Sequence, residues 1–261
     1  MAVQSQEMTF WDHVEDLRKC IIRVAVVFLT VTVVLFCFKD FLFDDVVLAP
    51  SDSSFWLYRL FGLDFSMSLV NIEVSAQFMI HMKLTFICSL ILCFPYIIYE
   101  LWCFIAPALY EREKTSVRKA FAFASVLFYC GLAVGYYIIF PLMLNFFAGY
   151  QVSPLVPNTF SLSSYISLFT STIMTFGLVF EFPTVIAILS ALGIVTRDML
   201  QTYRRHAVCA VVILAALITP SGDPFSLFIV TIPLYLLYEF SIVICRKADP
   251  ALVNTLEDDI D

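Results

Sequence analysis

Charge is scarce in this chain, and its scarcity excludes a soluble domain. Only 14% of the 261 residues are charged, whereas 61% are hydrophobic and the mean hydropathy is +0.90. A soluble domain of this size has too little interior to bury so many apolar side chains. Apolar runs near the length that crosses a bilayer recur along the chain, which predicts an all-α integral membrane protein.

Signatures of catalysis and of metal binding are also missing from the sequence. It contains no nucleotide-binding loop, no G-x-S-x-G motif and no H-E-x-x-H motif. The three histidines lie far apart, and the eight cysteines include no C-x-x-C pair. We therefore expect no enzyme activity, no metal and no cofactor, and we expect the cysteines to pack as small apolar side chains.

Two further features are lacking. The first twenty residues are polar and contain no apolar segment before a small-residue cleavage site, so we expect no cleavable signal peptide. No internal repeat is visible, which argues against the inverted-repeat design of many secondary transporters.

Six apolar segments predict six transmembrane helices in a single membrane domain that covers residues 1–261. A full crossing needs about 20 apolar residues, so the fifth segment, 207–219, must cross a thin region or extend into its flanks. Residues 246–261 are expected to form a flexible acidic tail. The predicted spans are 21–38, 78–104, 120–142, 162–195, 207–219 and 225–245.

The lysines and arginines predict the orientation of these spans. Three of the 15, at Lys39, Arg59 and Lys83, lie toward the predicted outer side. The other twelve lie toward the inner side, in the N-terminal tail and first helical turn, two inner loops and the C-terminal tail. The positive-inside rule then places both termini in the cytoplasm, and an even number of spans independently requires both termini to lie on the same side. We expect a multi-pass protein of the cytoplasmic membrane.

Carboxylates at the inner surface and in the membrane are the candidate functional groups. Early acids in the first helix, at Glu15 and Asp16, suit the positive end of a helix dipole. Glu111 and Glu113 lie beside aromatic residues and Pro107, where carboxylates can receive guanidinium groups bidentately. Internal pairing with neighbouring basic residues explains these loop acids about equally well.

Four segments together resemble the TatC family, the multispanning receptor of the twin-arginine protein translocase. The resemblance covers nearly the whole chain, and the second segment is the most specific. The segments are "HVEDLR" at 13–18, "LWCFIAPALY" at 101–110 followed by Glu113, "FGLVFEFP" at 176–183, and "TP" at 219–220 with Asp223.

The resemblance implies which residues act. Asp16 and Glu113 would bind the paired arginines of a signal peptide, with Phe104, Pro107, Leu109 and Tyr110 in the same site. Glu181 would be a polar site inside the membrane. Pro50, Thr219 and Asp223 would make structural or partner contacts.

The first segment departs from the family pattern in two places. Asp16 stands where the family has glutamate, and Glu15 precedes it. Adjacent helical residues point about 100° apart, so either acid can face the signal peptide. Cys20 replaces the final basic residue of the motif.

The resemblance also implies the protein's partners and energy source. These are twin-arginine signal peptides of folded cargo, single-span TatA or TatB subunits, the lipid bilayer and further copies of this chain, with no nucleic acid. Export would use the proton-motive force. The alternative is a secondary transporter or ion channel that uses Glu181, because an intramembrane carboxylate marks ion pathways too. A membrane-embedded enzyme lacks any nucleophile or metal constellation.

Overall fold

A computed structural model describes residues 10–52, 55–61, 67–109, 111–153, 155, 158–219 and 223–245. Almost all of these residues are helical. Two-residue strands, β1 (Leu69–Val70) and β2 (Phe160–Ser161), pair in parallel with Leu69 opposite Phe160. The α-helices of the described residues are α1 (Phe10–Phe36), α2 (Trp56–Phe61), α3 (Ala76–Ile105), α4 (Glu111–Val134), α5 (Phe140–Gly149), α6 (Leu162–Val179), α7 (Phe182–Ala191), α8 (Arg197–Thr202), α9 (Arg204–Ile218) and α10 (Pro224–Ile244).

Five helical segments of the described residues are long and apolar enough to cross a membrane. They are His13–Phe36, Ala76–Ile105, Lys114–Gly149, Leu162–Ala191 and Pro224–Ile244. The prediction of an all-α membrane protein is confirmed. The sixth apolar helix, α9, has 15 residues and rises only about 22 Å at 1.5 Å per residue. A crossing at α9 therefore stays a prediction.

The helices bring most of their basic residues to one end of the bundle, which we call the basic end. There α1 begins beside the end of α3, because His13 stacks on Phe104. At the same end α9 begins beside the end of α10, where Arg204 pairs with Glu239. The opposite end holds the segment from the π-helical turn Phe41–Val47 to α2, together with the two strands.

The predicted span 162–195 is not one continuous helix. α6 ends at Val179 and α7 begins at Phe182, so Glu181 lies at the break. Pro183 has no N–H group and cannot donate to the carbonyl of Val179, which favours a break at this point. Gly193, with φ at +75°, follows the end of α7 and explains why this helix stops before residue 195.

Two glycines allow α4 to pack closely against α6 beside the break. A Cβ atom at Gly131 would lie 2.7 Å from Cβ of Phe180 and would also meet the carbonyl oxygen of Phe176. A Cβ atom at Gly177 would lie 2.9 Å from side-chain atoms of Phe128 and Leu132. Gly131 is required by the close approach of the Phe176 carbonyl, whereas Gly177 makes room for the Phe128 and Leu132 side chains.

Three tyrosine hydroxyls fasten the segment 46–50 at the opposite end. Tyr136 donates to the carbonyl of Val46 at 2.8 Å, Tyr165 to that of Val47 at 2.7 Å, and Tyr58 to that of Pro50 at 3.0 Å. Burial raises the pKa of Tyr58, so its hydroxyl stays protonated and able to donate. Pro50 is buried, and its carbonyl is part of this structural anchor.

Candidate functional site

A cavity of about 230 Å³ opens at the basic end between α1 and the end of α3. It brings together residues that lie about 90 positions apart in the sequence. Three residues predicted to bind the signal peptide, Asp16, Phe104 and Pro107, line it. The remaining lining residues are Lys19, Cys20, Arg23 and Cys103.

The two candidate acids of α1 have different surroundings. The Glu15 carboxylate is 2.9 Å from the Lys19 ammonium, one helical turn away, whereas the Asp16 carboxylate is 4.0 Å from it. Asp16 lines the cavity, and Glu15 is not among its lining residues. The geometry therefore distinguishes two acids that the sequence left equivalent.

The aromatic and proline residues of this site form its wall on the α3 side. The ring of Phe104 stacks on His13, with 4.3 Å between ring centroids and 23° between ring planes. Pro107 lies in the 3₁₀ turn Ala106–Ala108 that ends α3. Leu109, which follows this turn, is half-buried but does not line the cavity. The wall thus places an aromatic ring and a rigid turn beside a carboxylate.

Two further predicted site residues fall wholly or partly outside the described residues. Tyr110 lies outside the described residues, and so does the side chain of Glu113. The backbone places Glu113 in the first turn of α4, not in a loop as the sequence suggested. Its contact with the cavity stays a prediction.

An ion pair that was not predicted from the sequence ties α1 to α3 beside the cavity. Arg23 Nη2 lies 2.7 Å from Oε2 of Glu100, and Arg23 Nε lies 3.0 Å from Oε1 and 3.1 Å from Oε2. The Tyr96 hydroxyl donates to Oε1 of the same carboxylate at 2.8 Å. The partners are 77 residues apart. The only signal for the pair in the sequence was Glu100 itself, one helical turn after Tyr96 and near the end of α3.

Glu181 forms a second candidate site, away from the basic end. It borders a cavity of about 290 Å³ whose other lining residues are apolar except for Tyr238. Thr184 and the backbone of Phe128 lie beside the carboxyl group. Nevertheless Oε1 of Glu181 is buried without a hydrogen-bond partner among the described residues. Glu181 therefore places a buried oxygen that lacks a described hydrogen-bond partner next to an otherwise apolar cavity, at a helix break.

Two other predicted residues act within their own helices. The Thr219 hydroxyl donates to the carbonyl of Ala215 at 3.0 Å, where α9 ends. Oδ1 of Asp223 accepts the N–H of Ser226 at 2.8 Å and caps α10. These contacts are structural, and partner contacts at either residue stay a prediction. Among the described residues, no group of three or more histidine, cysteine or acidic side chains is arranged to hold a metal ion.

Comparisons with known proteins agree on one family. The family model described as "Sec-independent protein translocase protein (TatC)" matches residues 12–233. A protein of that name from Blattabacterium sp. subsp. Periplaneta americana is 36% identical over 259 residues, covering 94% of this chain and 97% of its own length. The protein of the same name from Carboxydothermus hydrogenoformans is 31% identical over 251 residues, covering 95% of this chain and 97% of its own length.

A solved structure has the same fold. The crystal structure titled "Twin Arginine Translocase Receptor- TatC in DDM" matches with a TM-score of 0.74 and 28% sequence identity. The match covers 90% of this chain and 99% of the solved one.

Proposed function

Because the chain belongs to the TatC family of Sec-independent protein translocase proteins, we propose that it binds twin-arginine signal peptides at its basic end. The observation that supports this proposal is the cavity in which Asp16, Phe104 and Pro107 meet. A carboxylate can bind a guanidinium through two parallel hydrogen bonds. An aromatic ring beside it can stack on the guanidinium plane.

The second arginine of the peptide requires a second acid near the first. Glu113 is the candidate, since α4 begins only a few residues after Pro107 in the turn that ends α3. With Asp16 on α1 and Glu113 on α4, the peptide would bind across two helices and the turn before α4. Recognition would then depend on how α1 packs against α3.

The basic end faces the cytoplasm in this proposal. Twelve of the 15 lysines and arginines belong to the segments that we assign to this end or to the tail beyond α10. A signal peptide is made in the cytoplasm, so its binding cavity must open on that side. Both termini would then be cytoplasmic, in a multi-pass protein of the cytoplasmic membrane.

Assembly with other subunits completes the proposed function. The family is a protein-translocase family and not a family of known enzymes. Because its members are protein translocase subunits, the alternative of a secondary transporter or ion channel is not retained. We propose that this chain acts with TatA- or TatB-type single-span subunits and with further copies of itself. Folded cargo would cross the membrane at the expense of the proton-motive force.

Membrane vesicles of opposite orientation test the recognition and its side together. The full chain is produced in a host without its own twin-arginine translocase, and inverted and right-side-out vesicles are prepared. A labelled peptide with two arginines should bind inverted vesicles roughly tenfold more tightly than the same peptide with two lysines, because lysine cannot bind a carboxylate bidentately.

The lysine peptide is the matched control, since it carries the same charge and is attracted equally to anionic lipid. Equal binding of the two peptides would contradict arginine recognition. Preferential binding to right-side-out vesicles would contradict the orientation.

A further inference from the structure

The described lining of the basic-end cavity carries more positive than negative charge. Asp16 contributes one carboxylate, whereas Lys19 contributes an ammonium and Arg23 a guanidinium. A peptide with two guanidinium groups would be repelled by such a lining, because like charges brought together oppose binding. The cavity can receive the peptide only if its own cations are compensated from outside the lining.

The two compensating contacts differ in strength. Lys19 pairs with Glu15 across one helical turn, and both side chains are more than half exposed, so this pair is weak and screened by salt. Arg23, whose side chain is 54% exposed, pairs with Glu100, whose side chain is only 7% exposed. Three distances of 2.7–3.1 Å join the guanidinium to the carboxylate, in a bidentate arrangement.

We propose that Glu100 sets the affinity of the basic-end cavity for a dicationic peptide, and that it acts through Arg23. It neutralises the Arg23 guanidinium at the cavity wall and so leaves Asp16 free to attract the arginines of the peptide. This inference rests on the proposed function. Glu100 is buried and is not among the residues that line the cavity, so it does not contact the peptide in this proposal.

Charge compensation and simple clamping of α1 to α3 predict different results for two single variants. Both Glu100→Gln and Arg23→Gln break the ion pair. Glu100→Gln leaves an uncompensated cation at the cavity, whereas Arg23→Gln leaves an uncompensated anion beside it. If the pair only clamps α1 to α3, the two variants should weaken peptide binding alike.

The experiment uses the full chain in lipid nanodiscs and a labelled peptide with two arginines. An uncompensated cation in the cavity wall repels both guanidinium groups of the peptide, and we expect the effect on affinity to be about tenfold, which corresponds to about 1.4 kcal/mol. We expect Glu100→Gln to bind about tenfold more weakly and Arg23→Gln to bind as tightly as the unaltered chain or more tightly. The double variant should return to within about twofold of the unaltered chain, because its cavity carries no excess charge.

A second ion pair of the same design provides the matched control. At the start of α9, Arg204 Nη2 lies 2.7 Å from Oε2 of Glu239, and the Tyr235 hydroxyl donates to Oε1 at 2.9 Å. Neither partner lines the cavity. Glu239→Gln should therefore leave peptide affinity unchanged within about twofold.

Several outcomes would overturn the inference. Weakening of Arg23→Gln to the same extent as Glu100→Gln, without recovery in the double variant, would mean that the pair is only a clamp. Unchanged affinity in Glu100→Gln would mean that Arg23 does not influence the cavity. If Glu100→Gln does not fold, a tenfold loss in Arg23→Gln alone overturns the proposal. If the unaltered chain does not prefer the arginine peptide to the lysine peptide, the proposed function itself fails.

Discussion

Asp16→Ala should weaken the binding of a twin-arginine peptide by about tenfold or more, whereas Glu15→Ala should weaken it by no more than about threefold. Asp16 lines the cavity with Phe104 and Pro107. Its side chain is about half exposed, so the loss of its charge-assisted contact lies at the lower end of the range for ion pairs at interfaces. Peptide affinity of the full chain in nanodiscs is the measurement.

The smaller effect of Glu15→Ala has its own physical reason. Without Glu15, the Lys19 ammonium loses its partner at 2.9 Å and can move toward Asp16, now 4.0 Å away. It would then compete with the peptide for the same carboxylate. Adding Lys19→Ala to Glu15→Ala should recover the lost affinity. A larger effect at Glu15 than at Asp16 would mean that the other acid faces the peptide.

Glu181→Ala should reduce export of a folded twin-arginine cargo to below about a tenth of the normal rate, while Glu181→Gln keeps at least about half of it. A charge near the middle of a bilayer costs roughly 2.5–3.5 kcal/mol on insertion scales. The cavity beside Glu181 offers few polar partners, and Oε1 has none among the described residues. We therefore expect polarity and hydrogen bonding at this position, not charge, to support export. Glutamine preserves both at nearly the same size.

The control for Glu181 is a neighbour on the same cavity. Val185 lines it one helical turn away on α7, and Val185→Ala changes the volume without removing a polar group. This variant should export at close to the normal rate. The amount of protein in the membrane and its thermal stability are measured for every variant, because loss of folding would also stop export. Normal export by Glu181→Ala would contradict a functional role, and equal loss in Glu181→Gln would mean that the charge is needed.

Three lining residues of the basic-end cavity, Asp16, Phe104 and Pro107, could be predicted from the sequence, because they lie in two short segments that resemble the TatC family. "HVEDLR" and "LWCFIAPALY" indicated the acid, the aromatic ring and the proline. The all-α class followed from composition and apolar runs alone. These features are local, so a single chain reveals them.

The rest depends on contacts between distant positions. The hydrophobic periodicity of α1 and α3 could not predict that Arg23 pairs with Glu100. The two residues are 77 positions apart, and neither helix contains a signal for its partner in the other. The choice between Glu15 and Asp16 needed the direction in which α1 packs on α3. Two sequence signals were present but not used. Pro183 marks the break before α7, and Gly193 marks its end.

Photo-crosslinking from the peptide to the unaltered chain tests the central claim most directly. A photoreactive residue is placed immediately after the two arginines, and the crosslinked sites are identified by mass spectrometry. The account predicts crosslinks within residues 16–23 and 103–107 and near Glu113, strongly reduced when the two arginines are replaced by lysines. Crosslinks confined to the opposite end of the bundle, or of equal strength for both peptides, would contradict it.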